Sequence, residues 1–389
     1  MAMKQLYRIF FSVLNAGLEG RELDGGTAEA ITPDILRKLY SLAKHHDMAH
    51  IVAKPLLSLK LEGCEEIKAK LSKQELLAVF RHEQLRYELE RIKETLEKAG
   101  IDFIALKGSR IRDLYREPYF RTSCDIDVLV HEEELDGAIA SLTDAGYTVK
   151  GEKSYHDISL FSEGGVHLEL HFNICEKQES LDRLLSRAWD FAERAGESET
   201  HEFIFSDEFF IFHLVAHAAY HFTAGGCGVK PLMDIWTLDK KLDYDKEKVR
   251  ELCAECGIEK FYDALCRLSR VWFDREESDA LLENMEDYIL KAGVYGNTEN
   301  KVAVAQNRGK GGKLGYLFRR IFIPYDDLKY YYPVLQKHKW LLPVMEVRRW
   351  FRLVFCGGFK KSVKELKTGV SMSDQRSASI EGLMKELKL

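Results

Sequence analysis

The stretch that decides the fold is residues 124–130, with the sequence CDIDVLV. Its apolar run from Ile126 to Val130 is typical of a buried strand. Side chains alternate along a strand, so Asp125 and Asp127 point to the same face, roughly 6.6 Å apart. Carboxylates at that spacing can share divalent metal ions. The alternative is an exposed pair of aspartates at a strand edge that binds nothing. The pair is therefore a candidate metal site that needs support from the rest of the chain.

Upstream, residues 101–109 have the sequence IDFIALKGS and predict a strand that ends at a glycine turn. A short helix is expected over residues 110–115, so Gly108 and Ser109 lie between the strand and the helix. Glycine lets the backbone approach a ligand closely, and the free N–H groups of a helix N-terminus suit a phosphate. Lys107 adds positive charge. An ordinary turn with Ser109 as the helix N-cap is the alternative.

Downstream, residues 158–172 predict a hairpin, because the turn sequence EGG at 163–165 separates two apolar runs. In the second strand, His167, Glu169 and His171 share one face and the aliphatic residues share the other. Glu169 is a candidate third carboxylate, acting either as metal support or as the base for an attacking hydroxyl. A polar outer face on an edge hairpin is the alternative.

The order of these pieces resembles the nucleotidyltransferase fold of the DNA polymerase β-like superfamily: strand, Gly-Ser turn, helix, Asp-x-Asp strand and a later acidic strand. Three features resemble more closely the family called uncharacterised nucleotidyltransferases: the Leu-Lys-Gly opening, Arg121 just before the Asp pair, and the Glu-Leu-His end of the hairpin. The stretch from His213 to His221, followed by Asp234, resembles the helical half of that family. The segment between the glycine turn and the Asp pair is longer than in many nucleotidyltransferases, but it fits the closer family.

The resemblance implies a site and an activity. The implied site residues are Asp125, Asp127 and Glu169 for catalysis and metal binding, and Lys107, Gly108, Ser109 and Arg121 for nucleotide binding. The implied cofactor is Mg²⁺, or Mn²⁺ in its place. The implied reaction moves a nucleoside monophosphate from an NTP such as ATP to an acceptor and releases pyrophosphate. The sequence identifies neither the acceptor nor the base of the NTP.

The expected architecture is α+β, a small mixed β-sheet nucleotidyltransferase core flanked by N-terminal and C-terminal helical regions. Four regions are predicted: 1–98 as an N-terminal helical region, 99–176 as the core, 177–300 as a helical domain, and 301–389 as a basic, aromatic C-terminal helical region. The last helix of the first region is expected to start at a capping box, Ser72 to Glu75, and to stop at Gly100.

Composition predicts a cytoplasmic protein. The 389 residues are 46% hydrophobic, and no apolar run is long enough to span a membrane. The N-terminal residues lack the apolar core of a signal peptide, so secretion is not expected. Eight scattered cysteines indicate reduced thiols. Cys253 and Cys256 form a lone Cys-x-x-Cys in a helical pattern, without the second pair that a zinc site needs.

Positive charge is concentrated near the C-terminus. The formal net charge is −6, yet residues 308–367 carry fifteen Lys and Arg against four Asp and Glu, a balance of +11 that leaves −17 for the rest. Aromatic residues interleave with basic ones there, as in the run RRWFR at 348–352. One interpretation is a helical cap whose aromatic side chains form its own core. The other is a surface for a polyanionic acceptor, or for the anionic lipids of a membrane contacted peripherally.

Two other functions stay open. One is a nucleotide-binding or regulatory protein that keeps this fold without turnover. The other is a His-rich metal hydrolase that uses His167, His171 and a helical row of His213, His217 and His221 at i, i+4 and i+8. That row is expected to face the cleft, although a half-buried polar stripe has the same spacing. Stoichiometric zinc would favour the hydrolase, and loosely held Mg²⁺ would favour the transferase.

Overall fold

The computed structural model describes residues 3–196, 199–294, 296–307, 312–355, 365 and 374–389. The chain divides into two compact units, Met1–His217 with Val229–Leu282, and Ala218–Gly228 with Glu283–Leu389. Within the ranges described, we find no helix that is both long and apolar enough to cross a bilayer.

Helices make up most of the described chain. Those before the first strand are α1 (Met3–Glu19), α2 (Gly25–Ala30), α3 (Pro33–His45), α4 (Ala49–Leu57) and α5 (Glu65–Ala99). Those that alternate with strands or follow them are α6 (Gly108–Ile111), α7 (Leu135–Asp144), α8 (Glu179–Leu185), α9 (Asp207–Thr223), α10 (Lys230–Lys241), α11 (Lys246–Glu255) and α12 (Glu259–Phe273). The remaining helices are α13 (Ala280–Ala292), α14 (Thr298–Asn307), α15 (Gly312–Ile321), α16 (Tyr325–Tyr331), α17 (Val334–Lys337), α18 (Leu342–Phe355) and α19 (Asp374–Leu387).

A single mixed sheet lies in the first unit. Its strands are β1 (Phe103–Ala105), β2 (Asp125–Val130), β3 (Thr148–Val149), β4 (Asp157–Phe161), β5 (His167–His171), β6 (Ala192–Arg194) and β7 (Glu202–Phe205). The spatial order is β3-β4-β5-β2-β1-β7-β6, which puts β2 in the middle. β2 pairs in parallel with β5 and antiparallel with β1, and β4 and β5 form the predicted hairpin. The predicted α+β class, a mixed sheet with helical flanks, is confirmed.

Two local predictions need correction. Strands β6 and β7 lie inside the 177–300 stretch for which helices were expected, and they extend the sheet beyond β1. They have only three and four residues, too few for an alternating pattern to stand out in the sequence. Helix α5 begins at Glu65, so the proposed capping box falls inside it, while Gly100 does end it with a left-handed φ of 67°. A capping box does not mark the start of a helix when the residues before it also have high helix propensity, because the helix then continues through it.

One face of the sheet forms the core of this unit. Ile126, Val128 and Val130 of β2 are buried there together with Leu168 and Leu170 of β5, in a cluster that includes residues of α5 and α7. Because side chains alternate along each strand, this packing fixes which residues lie on the opposite face. The acidic and histidine side chains of β2 and β5 are therefore directed away from the apolar core.

The second unit has its own helical packing. The Tyr288 hydroxyl donates a hydrogen bond to the Phe222 carbonyl at 2.8 Å, and helix α14 packs against α19. Tyr316, Leu328 and Leu335 are buried, so part of the aromatic and aliphatic content predicted for the C-terminal region does form a core.

Candidate functional site

Strand register brings the predicted carboxylates together. In the parallel pair of β2 and β5, Asp125 is opposite His167, Asp127 is opposite Glu169, and Leu129 is opposite His171. Residues opposite each other on adjacent strands project to the same face. The polar residues of both strands therefore form one cluster on the face that is turned away from the core.

The donor atoms of this cluster are close enough to hold metal ions. One group consists of Asp125, His167 and Glu169, and a second consists of Asp127, Glu169 and His171. Within each group, the candidate ligand atoms all lie within 4.8 Å of one another. Glu169 belongs to both groups. The set is rich in carboxylate oxygens, which are the ligands that Mg²⁺ and Mn²⁺ prefer, and it also contains two imidazole nitrogens.

The two aspartates of β2 have opposite electrostatic surroundings. Burial and the nearby charges of Asp127 and Glu169 raise the pKa of Asp125 above its ordinary value. Burial would also raise the pKa of Asp127, but the Lys107 ammonium and the His171 side chain hold it well below its usual range. The negative charge of Asp125 is therefore poorly balanced by nearby positive charge, whereas Lys107 and His171 balance the negative charge of Asp127.

Two side chains supply that compensation. The ammonium of Lys107 lies 3.5 Å from Asp127 Oδ1, and the charges of Asp127 and other nearby carboxylates outweigh burial and raise the pKa of Lys107. His171 Nε2 lies 3.0 Å from Asp127 Oδ1 and 3.6 Å from Glu169 Oε2. Burial would lower the pKa of His171, but hydrogen bonds to Asp127 and Glu169 raise it to about 9. Because the ionised Asp127 carboxylate can only accept a hydrogen bond, His171 Nε2–H donates to it.

The glycine turn lies next to the start of β2. Lys107, just before α6, has φ 42° and ψ −110°, a conformation that L-residues rarely adopt. Such backbone strain clusters at functional sites. A Cβ added to the buried Gly108 would make ordinary van der Waals contact with Arg112 Nη2 at 3.6 Å and Ser123 Oγ at 3.7 Å, so the side chains of Arg112 and Ser123 line the turn there. The backbone N–H of Ser109 donates to the Leu106 carbonyl at 3.0 Å, which leaves the Ser109 hydroxyl rather than that N–H for a ligand.

Arg121 is held by a buried carboxylate. Its Nε donates to both oxygens of Asp234, at 2.7 and 2.9 Å, and the hydroxyl of Tyr115 donates to the same carboxylate at 2.7 Å. Its guanidinium also donates from Nη1 to the Thr122 carbonyl. The negative charges of Asp234 and, to a smaller extent, Asp127 outweigh burial and raise the pKa of Arg121. Asp234 is the carboxylate that pairs with the Arg121 guanidinium.

The histidines of α9 lie outside the two donor groups. His217 Nδ1 is 2.6 Å from Glu176 Oε1, and burial and the charge of Lys107 hold the pKa of His217 well below its usual value. Burial and Lys107 likewise lower the pKa of His213 to about 3, so that buried ring is neutral. His221 belongs to the second unit. Among the residues that the structure describes, none of these three histidines belongs to a metal-binding group, and His213 and His217 lie near enough to Lys107 for its charge to lower their pKa.

Three nearby residues were missed by sequence reasoning. Arg112 is only 5% exposed and donates to Ser123 Oγ at 2.9 Å, while Ser123 donates in turn to the Asp125 carbonyl. These contacts tie the segment after the glycine turn to the first residue of β2. Glu176, the partner of His217, follows β5 in a loop. No sequence spacing links residues in these three segments, so only the folded chain identifies them.

Comparison with known proteins agrees with this geometry. The model of the family described as uncharacterised nucleotidyltransferases matches residues 35–274, which include β1 to β7 and helices through α12. No curated protein was found to match the chain. Since the match spans more than half of the sequence, the chain belongs to the uncharacterised nucleotidyltransferase family.

Proposed function

We propose that the protein is a metal-dependent nucleotidyltransferase that moves a nucleoside monophosphate from an NTP such as ATP to an acceptor, with release of pyrophosphate. The observation that carries the proposal is the position of Glu169, whose carboxylate belongs to both donor groups. A carboxylate that lies close to both aspartates suits a site that holds one or two metal ions for phosphoryl transfer. Membership of a nucleotidyltransferase family supports the same reaction class.

Asp125, Asp127 and Glu169 are the proposed ligands of Mg²⁺ or Mn²⁺. Asp125 is the carboxylate with the least compensated charge, so a cation beside it would relieve repulsion that the protein alone leaves in place. A bound ion of this kind would neutralise the charge that grows on the α-phosphate during transfer.

Glu169 has a second candidate role, as the base for the acceptor in place of a metal ligand. Its side chain is 29% exposed, against 12% for Asp127, so an acceptor hydroxyl can approach it more readily. His171 is a positioning residue in this proposal, because its Nε2–H holds Asp127 ionised and fixes one carboxylate oxygen.

Lys107, Gly108 and Ser109 are proposed to bind the β- and γ-phosphates. The partly buried ammonium of Lys107 lies 3.5 Å from Asp127 Oδ1, where it can contact a phosphate held by the same ions. Because Gly108 has no side chain, the backbone of the turn can approach an oxygen closely. Arg121, which is held by an ion pair with Asp234, is proposed to contribute positive charge to the same site.

A zinc-dependent hydrolase is the second candidate, favoured by the presence of His167 and His171 in the donor groups. Nitrogen ligands suit zinc, whereas the three carboxylates suit a harder ion. His213 and His217 weaken this candidate, because neither belongs to a metal-binding group among the residues that the structure describes.

The direct test of the proposed function is transfer of label from each α-³²P-labelled NTP to a component of cell extract. We expect one NTP to label an acceptor and to release unlabelled pyrophosphate. Chelation should abolish transfer and added Mg²⁺ or Mn²⁺ should restore it. Stoichiometric zinc in the purified protein, with hydrolysis in place of transfer, would establish the hydrolase instead.

Neutralising the two aspartates should separate stability from activity. Folding raises the pKa of Asp125, so the ionised Asp125 carboxylate destabilises the folded protein at pH values above its ordinary pKa. Asp125→Asn should therefore leave the melting temperature of the metal-free protein at pH 7 unchanged or raise it.

Folding lowers the pKa of Asp127, so the ionised Asp127 carboxylate stabilises the folded protein, and this stabilisation is lost only at acid pH. Asp127→Asn should therefore lower the melting temperature at pH 7.

Both changes should reduce transfer by about a thousandfold or more, because each removes a ligand of the ion that stabilises the transition state. Asp144→Asn, an exposed aspartate at the end of α7, is the matched control and should retain full activity. Normal transfer by Asp125→Asn would remove that residue from the site.

Gly108→Ala tests the phosphate turn. The new methyl group would make only ordinary contacts and requires no left-handed backbone, so the fold should be retained. In the proposed mode of binding the phosphate approaches the backbone of this turn and the methyl group would hinder it, so NTP affinity measured by calorimetry should fall by about tenfold or more. Gly137→Ala in α7, where the new Cβ would lie 3.8 Å from Ile101, is the control. Equal affinities for the two variants would exclude the turn from the nucleotide site.

A further inference from the structure

Helix α18 in the second unit has an apolar face that is exposed. Val344, Val347, Phe351 and Phe355 recur at i, i+3, i+7 and i+11, which places them on one side of the helix. Trp340 lies in a short 3-10 helix, Lys339–Leu341, just before α18. Phe351 is 61% exposed, Phe355 77% and Trp340 74%. These five residues are here termed the α18 surface. Their exposure is the opposite of the expected core of a helical cap.

The opposite side of α18 is anchored, so the exposed face is not a loosely packed end. Glu346 is buried and accepts a hydrogen bond from the Ile323 backbone N–H at 2.6 Å. Trp350 Nε1 donates to the Ile321 carbonyl at 3.0 Å, and the ring of Trp350 lies 5.4 Å from that of Phe322. The side of α18 that faces α15 is therefore defined by specific contacts, and the α18 surface is turned away from them.

Basic side chains border the apolar stripe. Arg348 and Arg352 follow Val344 by four and eight residues, which places both beside the stripe on the helical projection. Both are exposed, and neither is paired with a carboxylate in the described part of the chain. Arg348 instead lies over the ring of Tyr332, at 5.8 Å. Residues 312–355 carry nine Lys and Arg against three Asp and Glu, a balance of +6.

We propose that the α18 surface binds a membrane interface rich in anionic lipid. An amphipathic helix with Trp and Phe on one face and arginines along its border lies in the interface plane, with its apolar face among the acyl chains and its cations at the headgroups. This inference concerns the second unit and does not depend on the proposed chemistry of the first.

Charge and shape favour a membrane over two other occupants. A second copy of this chain, docked face to face, would bring Arg348 and Arg352 against their own counterparts with no carboxylates between them. A nucleic acid would satisfy the arginines, but phosphates and sugars do not bury aliphatic side chains such as Val344 and Val347, which offer no plane for stacking.

The test is flotation of the full chain with vesicles of phosphatidylcholine, with and without phosphatidylserine. We expect binding only to the anionic vesicles, weakening as salt is raised. The double variants Phe351→Ser/Phe355→Ser and Arg348→Glu/Arg352→Glu should each reduce binding by about tenfold or more. Leu76→Ser/Phe80→Ser, which removes two equally exposed apolar residues from α5, is the matched control and should bind like the wild type.

Three results would overturn the proposal. One is absence of binding to anionic vesicles. A second is a dimer in light scattering that Phe351→Ser/Phe355→Ser converts to monomer, which would assign the surface to a second copy. A third is binding to single-stranded RNA, without vesicle binding, that depends on Arg348 and Arg352 alone. Circular dichroism of each variant should match the wild type, because the substituted side chains are exposed.

Discussion

The parallel pairing of β2 with β5 is the constraint on which the rest of the site depends. Its register puts Asp127 opposite Glu169 and Asp125 opposite His167, so three carboxylates from two segments far apart in sequence share one face. The other face of the same strands is fully apolar and packs into the core. A slip of one residue in either strand would bury the carboxylates, so the core holds the acidic cluster in place.

The three carboxylates of this cluster repel one another unless nearby positive charge compensates them. Here the compensation is uneven, since Lys107 and His171 both contact Asp127 while Asp125 has no cation at comparable distance among those contacts. The cluster therefore combines one well-compensated carboxylate with one that favours an additional positive charge. This asymmetry supports the proposal that a cation binds beside Asp125.

The sequence predicted the parts of this site whose signals are local. Asp125 and Asp127 share a face by strand period, and Glu169 shares one with His167 and His171, because alternation acts over a few residues. The Gly108 turn and the β4–β5 hairpin were likewise predictable. The compensation of Asp127 by Lys107 and His171 was not, since it depends on the spatial order of strands. Arg112, Ser123 and Glu176 lie in loops or short helices, where no periodic pattern indicates what they contact.

In the C-terminal region, the sequence likewise did not tell which apolar residues are buried. Its basic and aromatic composition left a core and a binding surface open, and the structure contains both buried and exposed apolar residues there. Tyr316 and Leu335 are buried, whereas Phe351 and Phe355 are exposed. Helical spacing identifies an apolar stripe but does not tell whether another helix covers it.

The most direct measurement for the account is anomalous diffraction from crystals grown with Mn²⁺ and a non-hydrolysable NTP analogue. The account predicts manganese bound by Asp125, Asp127 and Glu169, with the terminal phosphates beside Gly108 and Ser109. It would be contradicted by manganese and nucleotide bound elsewhere, or by a site at this position that binds neither.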